Sequence, residues 1–189
     1  MRIFLFSCAL LALASCHKPA PTPQSQANSA QSAESGPAKG VDRSHKGQPF
    51  PKVSVGDPDG TQTNLKGLKG VPTLVNLWAT WCAPCAKELP TLSKLAASRK
   101  ADLWVLPISQ DSAPQASVDA FVAKLGLQKF PVYYDPKMAV SGATDAEVLP
   151  TTILYDANGH EVWRYVGDLD WTSPEAAKLL AEGDVSPPK

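Results

Sequence analysis

Two short runs of apolar residues, separated by a segment with helical spacing, constrain the fold of this chain most strongly. The runs are Thr73 to Trp78 and Leu103 to Ile108, and nearly continuous apolar strands are typical of a sheet covered on both faces. Between them, leucines recur at helical intervals from Ala83 to Ser98, and Pro90 is expected to kink that helix. The order strand, helix, strand predicts a βαβ unit.

The rest of the domain is predicted to add strands and helices on both sides of this unit. A hairpin precedes it, and a second helix, three strands and a last helix follow it. The corresponding segments are residues 53–64, 114–126, 131–134, 152–155, 162–166 and 173–182. The predicted order is therefore β-β-β-α-β-α-β-β-β-α, which is an α/β fold.

Charge and proline content exclude two other classes of protein. The 18 Lys+Arg residues are balanced by 18 Asp+Glu residues, so the formal net charge is +0. Without excess positive charge the chain has no general means of neutralising phosphates, and we expect no nucleic-acid partner. The 18 prolines argue against a helix bundle, because an interior proline removes a hydrogen bond and clashes with the preceding turn.

The N-terminus carries the pattern of an export signal. Arg2 precedes an apolar stretch over residues 3–13, which is too short to span a membrane as a stable helix. The residues Leu13-Ala14-Ser15-Cys16 resemble the bacterial lipobox, in which the cysteine is acylated and becomes the first mature residue. An ordinary secretory signal with a coincidental cysteine is the alternative interpretation.

These features divide the chain into four predicted parts. The residues after Cys16 are rich in Pro, Ser, Ala and Gln and contain almost no large apolar side chains, which is typical of a disordered linker. The predicted parts are a lipoprotein signal peptide over 1–15, a lipidated N-terminus and linker over 16–48, a folded domain over 49–184 and a tail over 185–189.

The strongest chemical motif in the chain is Cys82-Ala83-Pro84-Cys85. It stands at the start of a helix, where unpaired N–H groups and the positive end of the helix dipole favour a thiolate. Attachment of a c-type haem is excluded, because Ala86 rather than histidine follows. A zinc site lacks ligands, because the 3 histidines lie in the linker and a distant turn. We interpret the pair as redox-active without a metal or other cofactor, with Cys82 as nucleophile and Cys85 as resolving thiol.

Residues around this motif and later in the chain resemble one family. The stretch Leu77 to Cys85 followed by Glu88-Leu89-Pro90, together with Leu149-Pro150-Thr151-Thr152, resembles the thioredoxin superfamily and, within it, the exported TlpA/ResA-like branch. The resemblance covers about Phe50 to Glu182, and the lipobox lies outside it. It implies a thioredoxin-like fold with a central mixed β-sheet flanked by helices, an extra N-terminal β-hairpin, and thiol-disulfide exchange.

The resemblance also implies roles for residues near the cysteines. Thioredoxins hold a buried aspartate six residues before the first cysteine, but here that position is Asn76, which cannot take up a proton. Glu88 is the replacement proton acceptor that the ResA-like branch implies, and a solvated first-turn acid is the alternative. The Leu149-Pro150 bond is expected to be cis, so that the Leu149 backbone can pair with an extended substrate. Trp81 is expected to shield the cysteines and to contact substrate.

Together these features predict a membrane-tethered thiol-disulfide oxidoreductase of the periplasm or cell exterior, anchored to a bacterial membrane through acylated Cys16. It would reduce disulfides of exported clients, such as apocytochrome c or metal-centre assembly proteins, and receive electrons from a membrane thiol transporter. Because Ala83 and Pro84 add no charge between the cysteines, its potential is expected nearer thioredoxin's, about −270 mV, than the roughly −120 mV of strong oxidants. A redox-inert interaction module and a thiol peroxidase remain as alternatives.

Overall fold

The computed structural model describes residues 38–183 of the chain. Apart from one turn of 3-10 helix at Leu65–Gly67, its helices and strands follow the predicted order with two additions. The strands are β1 (Gly40–Asp42), β2 (Ser54–Gly56), β3 (Gln62–Asn64), β4 (Thr73–Trp78), β5 (Trp104–Ser109), β6 (Tyr133–Tyr134), β7 (Thr151–Tyr155) and β8 (Glu161–Val166). The α-helices are α1 (Ala83–Ser98), α2 (Gln115–Lys124), α3 (Ala139–Thr144) and α4 (Pro174–Ala181).

These strands form one mixed sheet in the order β1-β8-β7-β4-β5-β6-β2-β3. At its centre, β4 is parallel to β5 and antiparallel to β7, which confirms the predicted βαβ unit and mixed sheet. The register pairs Trp78 with Ser109 and Leu77 with Thr151. The carboxyl ends of β4 and β5 and the amino end of β7 therefore meet at one end of the sheet. The predicted hairpin is β2 and β3, which joins the sheet through β6.

The sheet separates two apolar clusters, one on each face. Along β4, Leu74 and Trp78 belong to the cluster that packs under α1, whereas Val75 and Leu77 belong to the other. This alternation follows from the two-residue period of a strand. Every residue of β4 is buried, which explains why its sequence is nearly continuous in apolar residues.

Helix α1 presents a single buried face to the sheet. Its buried residues recur at helical spacing and are Cys85, Glu88, Leu89, Leu92 and Leu95. Pro84 lies in the first turn, where the helix requires no N–H donor. Pro90 lies inside α1, and the helix continues through it to Ser98.

Regular structure begins before residue 49, within the segment predicted as linker. Gly40–Asp42 forms β1, which pairs antiparallel with β8 and places Gly40 opposite Val166. The N–H of Gly47 also donates to the carbonyl of Glu161 at 2.7 Å. Backbone hydrogen bonds to an open strand edge do not require large apolar side chains, so composition alone does not reveal them.

Helix α3 is the second addition to the predicted order. It has only six residues, and left-handed residues flank it, Met138 with φ 51° and Asp145 with φ 54°. The carboxylate of Asp135 accepts hydrogen bonds from the N–H groups of Ala139 and Val140, at 3.0 and 2.7 Å. A helix this short, built of small residues, has no hydrophobic periodicity from which the sequence could predict it.

The predicted signal peptide, Cys16, most of the predicted linker and the tail lie outside the described residues. Among residues 38–183, no helix has the length and apolar character needed to cross a membrane.

Candidate active site

Cys82 and Cys85 lie at the junction of β4 and α1 and are joined by a disulfide bond, with their Cα atoms 5.3 Å apart. Cys82 is the N-cap of α1, and its Sγ accepts a hydrogen bond from the N–H of Cys85 at 3.3 Å. The relative exposure is 6% for Cys82 and 0% for Cys85. Cys82 therefore keeps a small exposed surface, whereas Cys85 has none. We call the end of the sheet that carries the pair the cysteine end.

A buried carboxylate holds the loop that leads into the cysteines. Asp111, which follows β5, accepts hydrogen bonds from the backbone N–H and the hydroxyl of Thr80, at 2.9 and 2.6 Å. It also accepts one from the hydroxyl of Ser109 at 2.8 Å. Sequence reasoning missed Asp111, although a carboxylate directly after a buried strand was a usable signal.

Glu88 is buried beneath the cysteines, with a relative exposure of 2%, and is not the solvated acid of the alternative interpretation. Its Oε1 accepts a hydrogen bond from Nδ2 of Asn76 at 2.7 Å. Its Oε2 accepts from the backbone N–H of Leu169 and the indole N–H of Trp171, both at 3.2 Å. Burial raises the pKa of Glu88 to about 7, because the loss of hydration outweighs these hydrogen bonds. Both protonation states are therefore populated near neutral pH, as a proton acceptor requires.

Asn76 connects Glu88 to a second strand. It is fully buried in β4, and its Nδ2 also donates to the hydroxyl of Thr152 on β7 at 2.9 Å. Its Oδ1 is buried and has no hydrogen-bond partner among the residues that the structure describes. Sequence reasoning named Asn76 only as a departure from the thioredoxin pattern and missed its contact with Thr152. It also missed the donors that Leu169 and Trp171 supply to Glu88.

The Leu149–Pro150 loop lies at the cysteine end, directly before β7. The Leu149–Pro150 bond is cis, which confirms the predicted isomer. The N–H of Gly167, after β8, donates to the carbonyl of Pro150 at 2.8 Å, so the two loops are held together. The side chain of Leu149 packs against both apolar clusters.

Trp81 supplies exposed aromatic surface beside the accessible sulfur. Its relative exposure is 70%, whereas that of Trp78 is 0%, so Trp78 belongs to the core and Trp81 does not. Among residues 38–183, no group of three or more His, Cys, Asp and Glu side chains could hold a metal ion.

A disulfide at a helix N-terminus, a cis-proline loop beside it and a buried acid beneath it, on this sheet, define a thiol-disulfide oxidoreductase of the thioredoxin type. The Redoxin family model matches residues 45–180. The chain belongs to the Redoxin family.

Named relatives agree with this assignment. The chain is 35% identical over 123 residues to the thiol-disulfide oxidoreductase ResA of Bacillus anthracis, covering 65% of this chain and 70% of that protein. It is 33% identical over 116 residues to the thioredoxin-like protein YneN of Bacillus subtilis, covering 60% of this chain and 67% of that protein. The resemblance to the ResA/TlpA-like branch is thereby confirmed, and with it the activity of a thiol-disulfide oxidoreductase.

A solved structure agrees with the fold. The crystal structure assigned as thiol:disulfide interchange protein DsbE of Chlorobium tepidum superposes with a TM-score of 0.65 and 25% identity, covering 72% of this chain and 96% of that chain. The predicted thioredoxin-like fold is therefore confirmed.

Proposed function

We propose that the protein is a membrane-tethered reductase of disulfides in exported proteins, acting through Cys82 and Cys85. The observation that carries this proposal is the pairing of one accessible and one buried sulfur at the N-terminus of α1. That arrangement suits an attack in which the accessible thiol meets the client and the buried thiol releases it. The intact pair argues against a redox-inert module.

The first step joins the client to Cys82. In the reduced protein the Cys82 thiolate, favoured by the N–H groups and dipole of α1, attacks one sulfur of a client disulfide. A bond forms between Cys82 Sγ and that sulfur, the client S–S bond breaks, and the other client sulfur leaves as a thiolate that takes a proton from solvent. The product is a mixed disulfide.

The second step releases the client. Cys85 passes its thiol proton to the Glu88 carboxylate, and the resulting thiolate attacks Cys82 Sγ. The Cys82–Cys85 bond forms, the mixed disulfide breaks, and the second client sulfur leaves and is protonated. Two electrons have then passed from the cysteine pair to the client. The raised pKa of Glu88, about 7, supports this role, because a weaker carboxylate base would rarely accept a thiol proton.

Client docking is assigned to Trp81, Leu149 and Pro150. An extended client segment would lie along the Leu149 backbone as an added strand, with an apolar side chain against the exposed ring of Trp81. The position of this loop beside the accessible sulfur supports the assignment. Trp81 is 70% exposed, which supports a recognition role for a large aromatic ring.

The location and partners follow from the N-terminal sequence. The lipobox-like Leu13-Ala14-Ser15-Cys16 supports a lipid anchor that faces the periplasm or cell exterior. Such a reductase is separated from cytosolic thiols, so a membrane thiol transporter would supply the electrons that reduce the Cys82–Cys85 disulfide again. The clients would be exported proteins with disulfides, with apocytochrome c and metal-centre assembly proteins as two classes that the resemblance suggests.

Trapping the mixed disulfide tests the proposed roles of the two cysteines. With a disulfide-containing model peptide, Cys85→Ser should accumulate a covalent adduct through Cys82, because the resolving thiol is absent. Cys82→Ser is the matched control and should form little adduct, since Cys85 is buried. Intact-protein mass spectrometry measures both. Equal adduct yields from the two variants would overturn the assignment.

A further inference from the structure

The Glu88 carboxylate is surrounded by hydrogen-bond donors. Each contact found among the described residues is an N–H group: Nδ2 of Asn76, the backbone N–H of Leu169 and the indole N–H of Trp171. This environment suits the charged carboxylate. A protonated Glu88 has an O–H group as well, and none of these three contacts accepts it.

The proposed function, on which this inference rests, needs Glu88 in both states. The carboxylate is the base that takes the Cys85 proton when the client is released. When the Cys82–Cys85 disulfide is later reduced, Cys85 leaves as a thiolate, and protonated Glu88 is the acid that returns its proton. The oxidised protein must therefore accommodate a neutral Glu88 in a fully buried site.

Asn76 is the neighbour that can change from donor to acceptor. A backbone N–H and an indole N–H can only donate, whereas an amide carries a donor and an acceptor on the same rotating group. The acceptor, Oδ1 of Asn76, is buried and has no partner in the described part of the chain. The other contact of Asn76 is the Thr152 hydroxyl, which can either accept or donate.

We propose that Asn76 is a positioning residue whose side-chain amide turns over as Glu88 gains and loses its proton. With Glu88 charged, Nδ2 donates to its Oε1 and to Thr152. With Glu88 neutral, the amide rotates by half a turn, and Oδ1 accepts hydrogen bonds from the Glu88 O–H and the Thr152 hydroxyl. The rotation keeps the carboxyl in place in both states and gives the buried O–H of neutral Glu88 an acceptor. Nδ2 then takes the position that Oδ1 holds when Glu88 is charged.

Three other titratable groups near Glu88, Asp168, Asp170 and Tyr165, have pKa values shifted away from neutral pH. In the described residues, the charged or titratable side chains around it are Tyr165 on β8, Lys87 on α1, Lys39 before β1, and Asp168 and Asp170 after β8. The pKa of each aspartate is lowered by hydrogen bonds, from lysine or threonine, to its charged form. Burial raises the pKa of the tyrosine, and disulfide-bonded cysteines do not titrate. In the oxidised protein, Glu88 is therefore the group expected to change charge.

Nuclear magnetic resonance on the oxidised, isotope-labelled full chain tests the amide directly. The side-chain carboxyl carbon of Glu88 and the side-chain NH₂ group of Asn76 should titrate with one common midpoint. In Glu88→Gln, where position 88 is always neutral, the Asn76 NH₂ resonances should not move with pH. Asn76 resonances that ignore the titration of Glu88 in the native protein would overturn the proposal.

A second variant links the amide to the chemistry. Asn76→Leu has the same shape but no amide, so the pKa of Glu88 should rise, and the pH midpoint of client release should rise with it. If that pKa moved from about 7 to about 8, the carboxylate fraction at pH 7 would fall about fivefold. Val75→Ala, on the opposite face of β4, is the control for lost core packing and should leave both midpoints unchanged.

The two measurements separate this inference from the proposed function. An unchanged rate of client release in Glu88→Gln would refute Glu88 as the proton acceptor, whatever the amide does. An Asn76→Leu protein that folds but keeps both midpoints would refute a stabilising role of Asn76 for the charged carboxylate. Asn76 resonances that do not follow the titration of Glu88 would refute the amide rotation, and both results leave the role of Glu88 intact. If Asn76→Leu does not fold, the titration of the native protein still decides the question.

Discussion

At the scale of single residues, the burial of Glu88 costs free energy of folding whenever its carboxyl group is charged. Burial raises the pKa of Glu88 from 4.5 to about 7, so folding favours its protonated form. The stability that this group contributes is complete below about pH 4.5 and is lost as the pH rises through about 7. The oxidised protein should therefore become less stable over this range, for a reason unrelated to thiol chemistry.

Glu88→Gln should remove this pH dependence. The difference in free energy of unfolding between the native protein and the variant should change by about 3 kcal/mol between pH 4 and pH 8, to the disadvantage of the native protein at high pH. Urea unfolding of both oxidised proteins at a series of pH values measures it. A constant difference across the range would show that folding does not change the pKa of Glu88.

How much of the site the sequence reveals depends on how local each contact is. Cys82, Cys85 and Glu88 lie on one helix, and Pro150 lies in a short motif, so spacing and resemblance were sufficient to name them. The donors from Leu169 and Trp171 come from a loop after β8, and nothing near either residue in the sequence points to Glu88. Only the folded sheet and helix bring these groups together.

At the scale of elements, the loop between β4 and α1 depends on Asp111, which binds both the N–H and the hydroxyl of Thr80. Asp111→Ala should leave that partly buried N–H without its protein partner, which costs at most about 1–3 kcal/mol. It should also slow the reaction of Cys82 with a model disulfide, because the sulfur is less firmly positioned. Thermal unfolding and stopped-flow exchange rates measure the two effects.

An exposed aspartate provides the comparison for that prediction. Asp59 accepts hydrogen bonds from Thr61 in the exposed turn between β2 and β3. Asp59→Ala should change stability only slightly and should leave the exchange rate unchanged. A similar loss of exchange rate in both variants would mean that Asp111 does not position the cysteines.

The predicted elements agree with the structure where the apolar residues of a segment follow the period of a strand or a helix. The bounds of β4 and α1 are as predicted, and those of the other predicted elements lie within two residues. The two misses, β1 and α3, are short and are specified by partners distant in sequence or by a cap. β1 exists because β8 offers an open edge, and α3 starts at N–H groups that Asp135 binds.

At the scale of the whole molecule, the position of the domain boundary has a measurable consequence. A protein that starts at residue 38 keeps β1 and the ion pair of Arg43 with Glu182, whereas one that starts at residue 49 loses both. The shorter protein should be less stable by a few kcal/mol, since each lost hydrogen bond contributes about 0.5–1.5 kcal/mol. If the proteins that start at residues 38 and 49 unfold at the same urea concentration, the segment before residue 49 does not stabilise the domain.

The proposed anchor is tested in cells that export the protein. Cys16→Ser removes the acylation site and should move the protein from the membrane fraction to the soluble export fraction, with the domain still folded. Cys8→Ser lies within the predicted signal peptide and should leave the protein in the membrane fraction. Immunoblots of the two fractions decide the matter, and a Cys16→Ser protein that remains with the membrane refutes the anchor.

The antiparallel pairing of β1 with β8 also determines at which end of the domain a label or a solid support can be joined to the chain. Gly40 lies opposite Val166, next to the Gly167 contact with Pro150, so the chain enters the domain at the cysteine end. Gly183, at the other terminus of the domain, packs on Leu154, towards the far end of β7. A fluorophore or a solid support joined directly at residue 38 would lie at the end of the domain where the client binds, whereas one joined after residue 183 would leave the cysteines open for use as an immobilised catalyst.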